Sequence, residues 1–344
     1  MLTGCPRVEG PAGTTGKLSI AFTNNWWRPT LANPKVALVG CGNIGKRHLE
    51  ALAALEQNLD VDVIEPNALT RGTIAAPGHL RMRLFDDVSK LDGEYNLAVV
   101  ATAANGRRQI LEDLLKERQI PTLLIEKFLF TQLRDYPLFE QSLASSGAAA
   151  FVNCGRRGFD SYANLRDEVA ARKQVSVRLS GSGWNLCSNA IHFVDIIEFV
   201  TGQKFVSLTG DRLDSEVIPA KRAGLLEITG ILDGRLEHGG EVQIECAKGP
   251  LMLPTITFVA GDERWVINEA AGNVVQLRGG KQISSAAFET LHVSQMPYLY
   301  SELIEGHSRL TSYAASAHQH MLLLNALRPK MSLSNENDDP CPIS

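Results

Sequence analysis

The sequence lacks most of what would mark a specialised environment. No stretch approaches the roughly 18 uninterrupted apolar residues a membrane-crossing helix needs. The six cysteines (Cys5, Cys41, Cys154, Cys187, Cys246 and Cys341) form no CxxC pair and no metal-ligand spacing. That disfavours a metal centre and leaves dispersed thiols of the kind kept reduced in a cytoplasmic protein. Aromatic residues reach only 6%, and 29 Gly and 15 Pro are too few for a collagen-like or low-complexity chain. Neither sign of charge dominates. Lys and Arg number 34 against 38 Asp and Glu, a net −4, so no polyanion-binding face is expected and nucleic acid is disfavoured as a partner. The first 34 residues also lack the basic-then-apolar order of a secretory signal, and are read as a flexible extension.

What is present suits a soluble globular protein. Of 344 residues, 44% are hydrophobic and 21% charged. At roughly 150 residues per domain, that length favours two domains. Residues 35–154 alternate short apolar runs with amphipathic stretches. VALVG (36–40), VDVIE (61–65), NLAVVATA (96–103), PTLLIEK (121–127) and AAFVNC (149–154) read as strands buried on both faces. Between them KRHLEALAALEQ and GRRQILEDLLKERQ carry leucines at helical spacing. The order implies βαβ units and a mostly parallel sheet.

Residues 155–330 differ. VSVRLSGS, GLLEITGIL, GEVQIECA, TITFVAG, RWVIN and NVVQL alternate like antiparallel strands. Asp233-Gly234, Gly239-Gly240 and Gly261-Asp262 read as the turns between them. Helical segments lie at 158–172, 190–202, 295–307 and 311–327, and residues 331–344 form a polar tail. The fold class is therefore α/β: a nucleotide-binding half followed by an α+β half with a large open sheet. One face of that sheet needs cover, which predicts a homodimer or homotetramer.

The strongest local motif is Gly40-x-Gly42-x-x-Gly45, between a buried strand and a helix. Such a turn lets a pyrophosphate approach the backbone at a helix N-terminus, here at Asn43 and Ile44. Glu65 closes the second strand 20 residues past Gly45. A carboxylate there accepts from ribose hydroxyls and repels a 2′-phosphate, so NAD is favoured over NADP. Arg71 close by would soften that preference.

VGCGNIGKRHLEAL (39–52), VVATAANGR (99–107), LLIEKF (123–128) and NAIHFVD (189–195) together resemble the glucose–fructose oxidoreductase / inositol dehydrogenase / rhizopine-catabolism family, Gfo/Idh/MocA. The resemblance runs from about residue 35 to 328 and is strongest in the first half. It implies a Rossmann domain, an α/β second domain with an open sheet, and nicotinamide-dependent oxidation or reduction of a sugar or cyclitol hydroxyl. It puts the family's Glu-Lys-Pro motif at Glu126, Lys127 and Phe128, with Lys127 beside the reacting hydroxyl. The family's helix motif falls on Ser188, Ala190, His192 and Asp195, with His192 as general acid/base and Asp195 orienting it or anchoring the helix. Its turn after the fourth strand falls on Ala101, Thr102 and Ala103. Three positions depart from the pattern. Phe128 replaces proline, and a cis Lys-Phe bond would cost about 2.5–4 kcal/mol, so a different loop path is expected. Ser188 replaces an acid, and Arg107 and Arg108 stand where the family often has histidine.

Other candidates carry two readings each. Asn185, Ser188 and Asn189 could hold sugar hydroxyls, with Trp184 stacked on a pyranose face, or all four could pack a tight turn. Arg156 and Arg157 could bind a substrate carboxylate or phosphate, or pair with Asp160 or Asp195. His318 and His320, two apart on a helix, are read as surface residues rather than metal ligands. The expected activity is an NAD(H)-dependent dehydrogenase or reductase of a sugar, cyclitol, sugar acid or nucleotide sugar. The alternatives are a redox-neutral NAD-using glycosidase or lyase, and a non-catalytic nucleotide-binding scaffold.

Overall fold

The computed structural model describes residues 33–331, 333 and 339–343. Most of the expected N-terminal extension lies outside the described residues.

Six short strands build the first sheet: β1 (Lys35–Val39), β2 (Asp60–Ile64), β3 (Arg81–Phe85), β4 (Leu97–Val100), β5 (Thr122–Ile125) and β6 (Ala149–Val152). All six run parallel, in the order β6-β5-β4-β1-β2-β3. β4 and β5 are buried at every position, as apolar runs covered on both faces should be. The chain reverses direction across the sheet between β1 and β4. In an open α/β sheet, ligands bind at the carboxyl ends of the strands flanking such a point. Helices α1 (Asn43–Ala53), α2 (Ala68–Arg71), α3 (Arg107–Glu117) and α4 (Asp135–Ser146) make the connections.

After α5 (Asp160–Val169) comes the second sheet: β7 (Ser176–Ser182), β8 (Phe205–Pro219), β9 (Leu226–Leu236), β10 (Glu241–Ala247), β11 (Met252–Ala260), β12 (Glu263–Asn268), β13 (Asn273–Arg278) and β14 (Lys281–Ala287). Its order is β14-β13-β12-β11-β7-β10-β9-β8, antiparallel except for the β7–β10 pair. Helices α6 (Leu186–Thr201) and α8 (Tyr313–Leu327) pack against β9 and β8, so helices cover one face.

Several expectations need correction. The second half is not separate from the first: β15 (Thr311–Ser312) pairs with β6 and extends the first sheet. Helix α7 (Pro297–Ile304) packs on α1. Asp233-Gly234 is not a turn but lies inside β9, where a Cβ on Gly234 would stand 2.7 Å from the Phe205 ring. Part of the C-terminal tail is anchored. Cys341 N–H donates to Thr131 (2.8 Å), Leu226 N–H donates to the Pro342 carbonyl (2.7 Å), and Cys341 and Ile343 are buried.

Candidate active site

The turn between β1 and α1 meets its steric requirements one glycine at a time. Gly40 has φ +87°, and a Cβ there would stand 3.0 Å from the Ala101 carbonyl carbon. A Cβ on Gly45 would lie 2.1 Å from the Gly40 carbonyl oxygen, so this glycine permits helix and strand to touch. A Cβ on Gly42 would meet nothing within 4 Å. The first two glycines serve the protein's own packing; Gly42 instead leaves open space in front of the helix. Gly42 has no side chain to cap α1, and no described side chain accepts from the amides of its first turn at Asn43 and Ile44, the groups a helix N-terminus offers to an anion. These features fit a dinucleotide pyrophosphate.

Glu65 is buried, and its carboxylate accepts from the backbone N–H of Cys41 (2.9 Å) and of Asn67 (3.0 Å). Each oxygen keeps lone-pair capacity for a ribose hydroxyl. Burial, reinforced by Glu65, pushes the Cys41 thiol up to about 11. Arg71 turns back and donates to the Glu65 and Pro66 carbonyls at 2.5 and 3.1 Å.

Beside this turn lies a cavity of about 260 Å³ lined by Ile44, Ala101–Ala104, Arg107, Glu126, Lys127, Phe128 and Arg222. The Lys127–Phe128 peptide bond is cis, so the different loop path expected from Phe128 is not found. The Phe128 ring is buried and meets the edge of His320 at 4.5 Å between centroids. Arg107 clamps the loop from below. Its buried guanidinium donates to the carbonyls of Thr102, Glu126 and Phe128, and to Leu129 at 3.2 Å. Burial, opposed by Glu126, brings the guanidinium down to about 10.

Glu126 points into the protein. His48 Nε2 donates to it at 2.9 Å, Asn153 donates as well, and the other His48 nitrogen lies 2.5 Å from the Tyr300 hydroxyl. Burial raises the Glu126 carboxyl, but His48, Asn153 and Lys127 together hold it below the usual value. Lys127, half-buried, donates from Nζ to the Ser188 carbonyl at 2.9 Å. Burial lowers its pKa against the pull of Glu126. His192 Nδ1 is buried without a hydrogen-bond partner. Burial first, then Lys127, Arg156 and His320, drive this imidazole well below its ordinary pKa, so it is neutral at pH 7.

Residues 34–154 match the family model described as GFO_IDH_MocA, oxidoreductase family, NAD-binding Rossmann fold. These residues belong to the Gfo/Idh/MocA family. A search of curated protein sequences gives no significant match. Among solved structures, an oxidoreductase from Agrobacterium radiobacter in complex with NAD+, L-tartaric acid and magnesium superposes with a TM-score of 0.71 at 15% identity, over 87% of this chain and 97% of that one. The WlbA dehydrogenase from Bordetella pertussis, in complex with NADH and UDP-GlcNAcA, gives 0.67 at 17%, over 88% and 96%. The transcriptional regulator Gal80p from Kluyveromyces lactis gives 0.68 at 14%, over 87% and 93%. At these identities the likeness establishes the fold.

Several residues expected to touch substrate are occupied elsewhere. Trp184 is buried, donates to the Glu245 carbonyl at 3.0 Å and meets Phe193 edge-on, so it offers no face to a pyranose. Asn189 donates to the Trp184 carbonyl at 2.8 Å. Arg156 forms a two-point pair with Glu269 at 2.8 Å and lies over the Phe193 ring, which leaves no fork for a substrate anion. Asp195 does not orient His192: it accepts from Arg157 at 2.9–3.0 Å and from Thr311, and so anchors α6. Asn185 is exposed at the N-cap of α6, in the left-handed region at φ 61°. His320 is not a surface residue but fully buried, with Nδ1 2.7 Å from the Ser316 carbonyl. Cys154 and Cys187 are buried with thiol pKa values raised by burial, as packing residues should be.

Sequence reasoning missed His48, Arg222 and Glu227. His48 sits one helical turn past the glycine motif. Arg222 comes from the β8–β9 hairpin, and Glu227 opens β9. No spacing signal links any of them to Lys127.

Proposed function

We propose that this protein is an NAD(H)-dependent oxidoreductase that oxidises or reduces a CH–OH carbon of a sugar, cyclitol, sugar acid or nucleotide sugar. The fold alone does not carry the reading, since a transcriptional regulator shares it. The observation that carries it is Lys127 in the cavity beside the nucleotide turn, bonded to the Ser188 carbonyl of α6, the helix that one turn later carries His192 with its buried Nδ1.

A bound nicotinamide ring supplies hydride acceptance or donation. The residues do the rest. Lys127 spends one N–H on Ser188 and has two left to polarise the substrate oxygen. A neutral His192 can accept the hydroxyl proton on oxidation and return it on reduction. Glu126, directed at His48 and Asn153, supports the lysine charge from behind. Glu65 at the end of β2 supports NAD over NADP. The nucleotide sugar and tartrate bound by the fold relatives favour a polyhydroxylated, acidic or nucleotide-linked substrate.

The test is a panel of sugars, cyclitols, sugar acids and nucleotide sugars assayed with NAD, NADP and their reduced forms by nicotinamide absorbance. Turnover should require Lys127, and Lys127→Ala should lower kcat by about 10²–10⁴-fold, the usual range for losing a proton-transfer group. Full activity in Lys127→Ala and His192→Ala would sink the reading. Substrate consumption without stoichiometric NADH would move it to the redox-neutral class.

A further inference from the structure

The amino end of α6 holds a carboxylate that is not its own. Glu227, at the start of β9, is 7% exposed. It accepts from the Cys187 N–H at 2.7 Å, the Ser188 N–H at 3.2 Å and the Ser188 hydroxyl. The carbonyl of that same Ser188 accepts from Lys127 Nζ at 2.9 Å. One residue thus stands between a buried acid and the lysine, bonded to both. Two of its donors fix it to Glu227, and its remaining acceptor fixes the ammonium.

We propose that Glu227 is a positioning residue for Lys127: through Ser188 it sets where the ammonium sits, and it places a carboxylate behind the carbonyl that holds it. The inference rests on the role given to Lys127 above. The groups around Lys127 can be named element by element. Glu126 follows β5, Arg107 lies on α3, Cys154 follows β6, His192 lies on α6, His320 on α8 and Glu227 on β9, and Arg222 of the β8–β9 hairpin lines the same cavity. Of the two carboxylates, Glu126 is already committed to His48 and Asn153. Glu227 is the one reached through a residue that also binds Lys127. Burial raises its own pKa, opposed by Ser188 and by the amides of α6.

The test reads the Lys127 charge directly, so it needs no substrate. Lysine labelled with ¹³C and ¹⁵N is incorporated, and the Lys127 side-chain signal is assigned by its loss in Lys127→Arg. In Glu227→Gln, nearly isosteric, the Lys127 titration should move to lower pH by about half to one unit, because an opposite charge nearby favours the charged form. Ser188→Asp combined with Glu227→Gln returns a carboxylate to the same place and should restore the midpoint. In the wild-type protein, the Lys127 signal should also shift over the range in which the Glu227 carboxyl itself titrates. An unchanged Lys127 midpoint in a folded Glu227→Gln variant, or no response in the wild type to Glu227 ionisation, would overturn the proposal. A purely structural role would lower thermal stability and leave the midpoint in place. If Lys127→Ala proves fully active while the titration shifts as expected, the coupling stands and the assigned function fails.

Discussion

Gly42 and Gly45 sit three residues apart in one motif and make opposite predictions. A methyl at Gly45 would lie 2.1 Å from the Gly40 carbonyl oxygen, a backbone atom that cannot swing away. Gly45→Ala should therefore cost stability by overpacking, about 1–3 kcal/mol. A methyl at Gly42 meets nothing within 4 Å, and φ −71° is open to alanine. Gly42→Ala should leave the melting temperature nearly unchanged, within the roughly 0.5 kcal/mol of a neutral surface change. The methyl nevertheless stands where a pyrophosphate must approach, so NADH affinity should drop at least about tenfold, or 1.4 kcal/mol. Thermal melts and NADH fluorescence titrations of the two variants separate these effects. Equal NADH affinity in Gly42→Ala and wild type would mean that the nucleotide does not use this turn.

Elements were legible in the sequence where burial is two-sided and obscure where it is not. β1, β4 and β5 show as unbroken apolar runs because helices cover both faces. β8, with 15 residues, and the fully exposed β14 escaped because they are edge strands whose outward positions carry charge or small polar residues. The site divides in the same way. Lys127 and His192 are readable from local motifs, whereas Glu227, Arg107 and Arg222 acquire meaning only from partners brought in by the sheets. Helix α8 shows the cost of reading a helix without its neighbours. His320 lies against Phe128, and burial draws its pKa down to about 3 from the ordinary 6.5. A base with a depressed folded-state pKa leaves fewer protons on the folded protein than on the unfolded chain. Stability from this group is complete above pH 6.5 and falls as the pH drops from there toward 3. The slope is up to about 1.4 kcal/mol per pH unit. His320→Leu removes the group, so denaturant melts across that window should show a shallower acid loss than wild type. His192, also depressed, keeps some slope in the variant. Identical slopes would mean that His320 is not kept neutral by the fold.

At the scale of the whole molecule, the two sheets divide the labour. The first presents strand ends to the nucleotide, and the second, through α6 and β9, presents His192, Ser188 and Glu227 to Lys127. Among the described residues, helices cover one face of the second sheet. Along β11, Ile256 and Phe258 point under the helices and are buried, while Thr255, Thr257 and Val259 face outward and are half-buried. The neighbouring outward positions are Arg178 on β7 and Gln243 and Glu245 on β10. This face is broad, near-central in the sheet and mixed in polarity, as a self-complementary interface between two copies can be. Light scattering of the purified protein should give a dimer or tetramer mass. Thr257 lies beside Arg178 across the β11–β7 pair, so Thr257→Glu gains a cross-strand partner and should not unfold the subunit. In a two-fold interface, however, the new charge meets its own copy or that copy's neighbours twice over, and the assembly should fall to a monomer with a full complement of NAD sites. A monomeric wild-type protein would instead show that this outer face is stable in water by itself, and that the cover expected from its alternating pattern is not required.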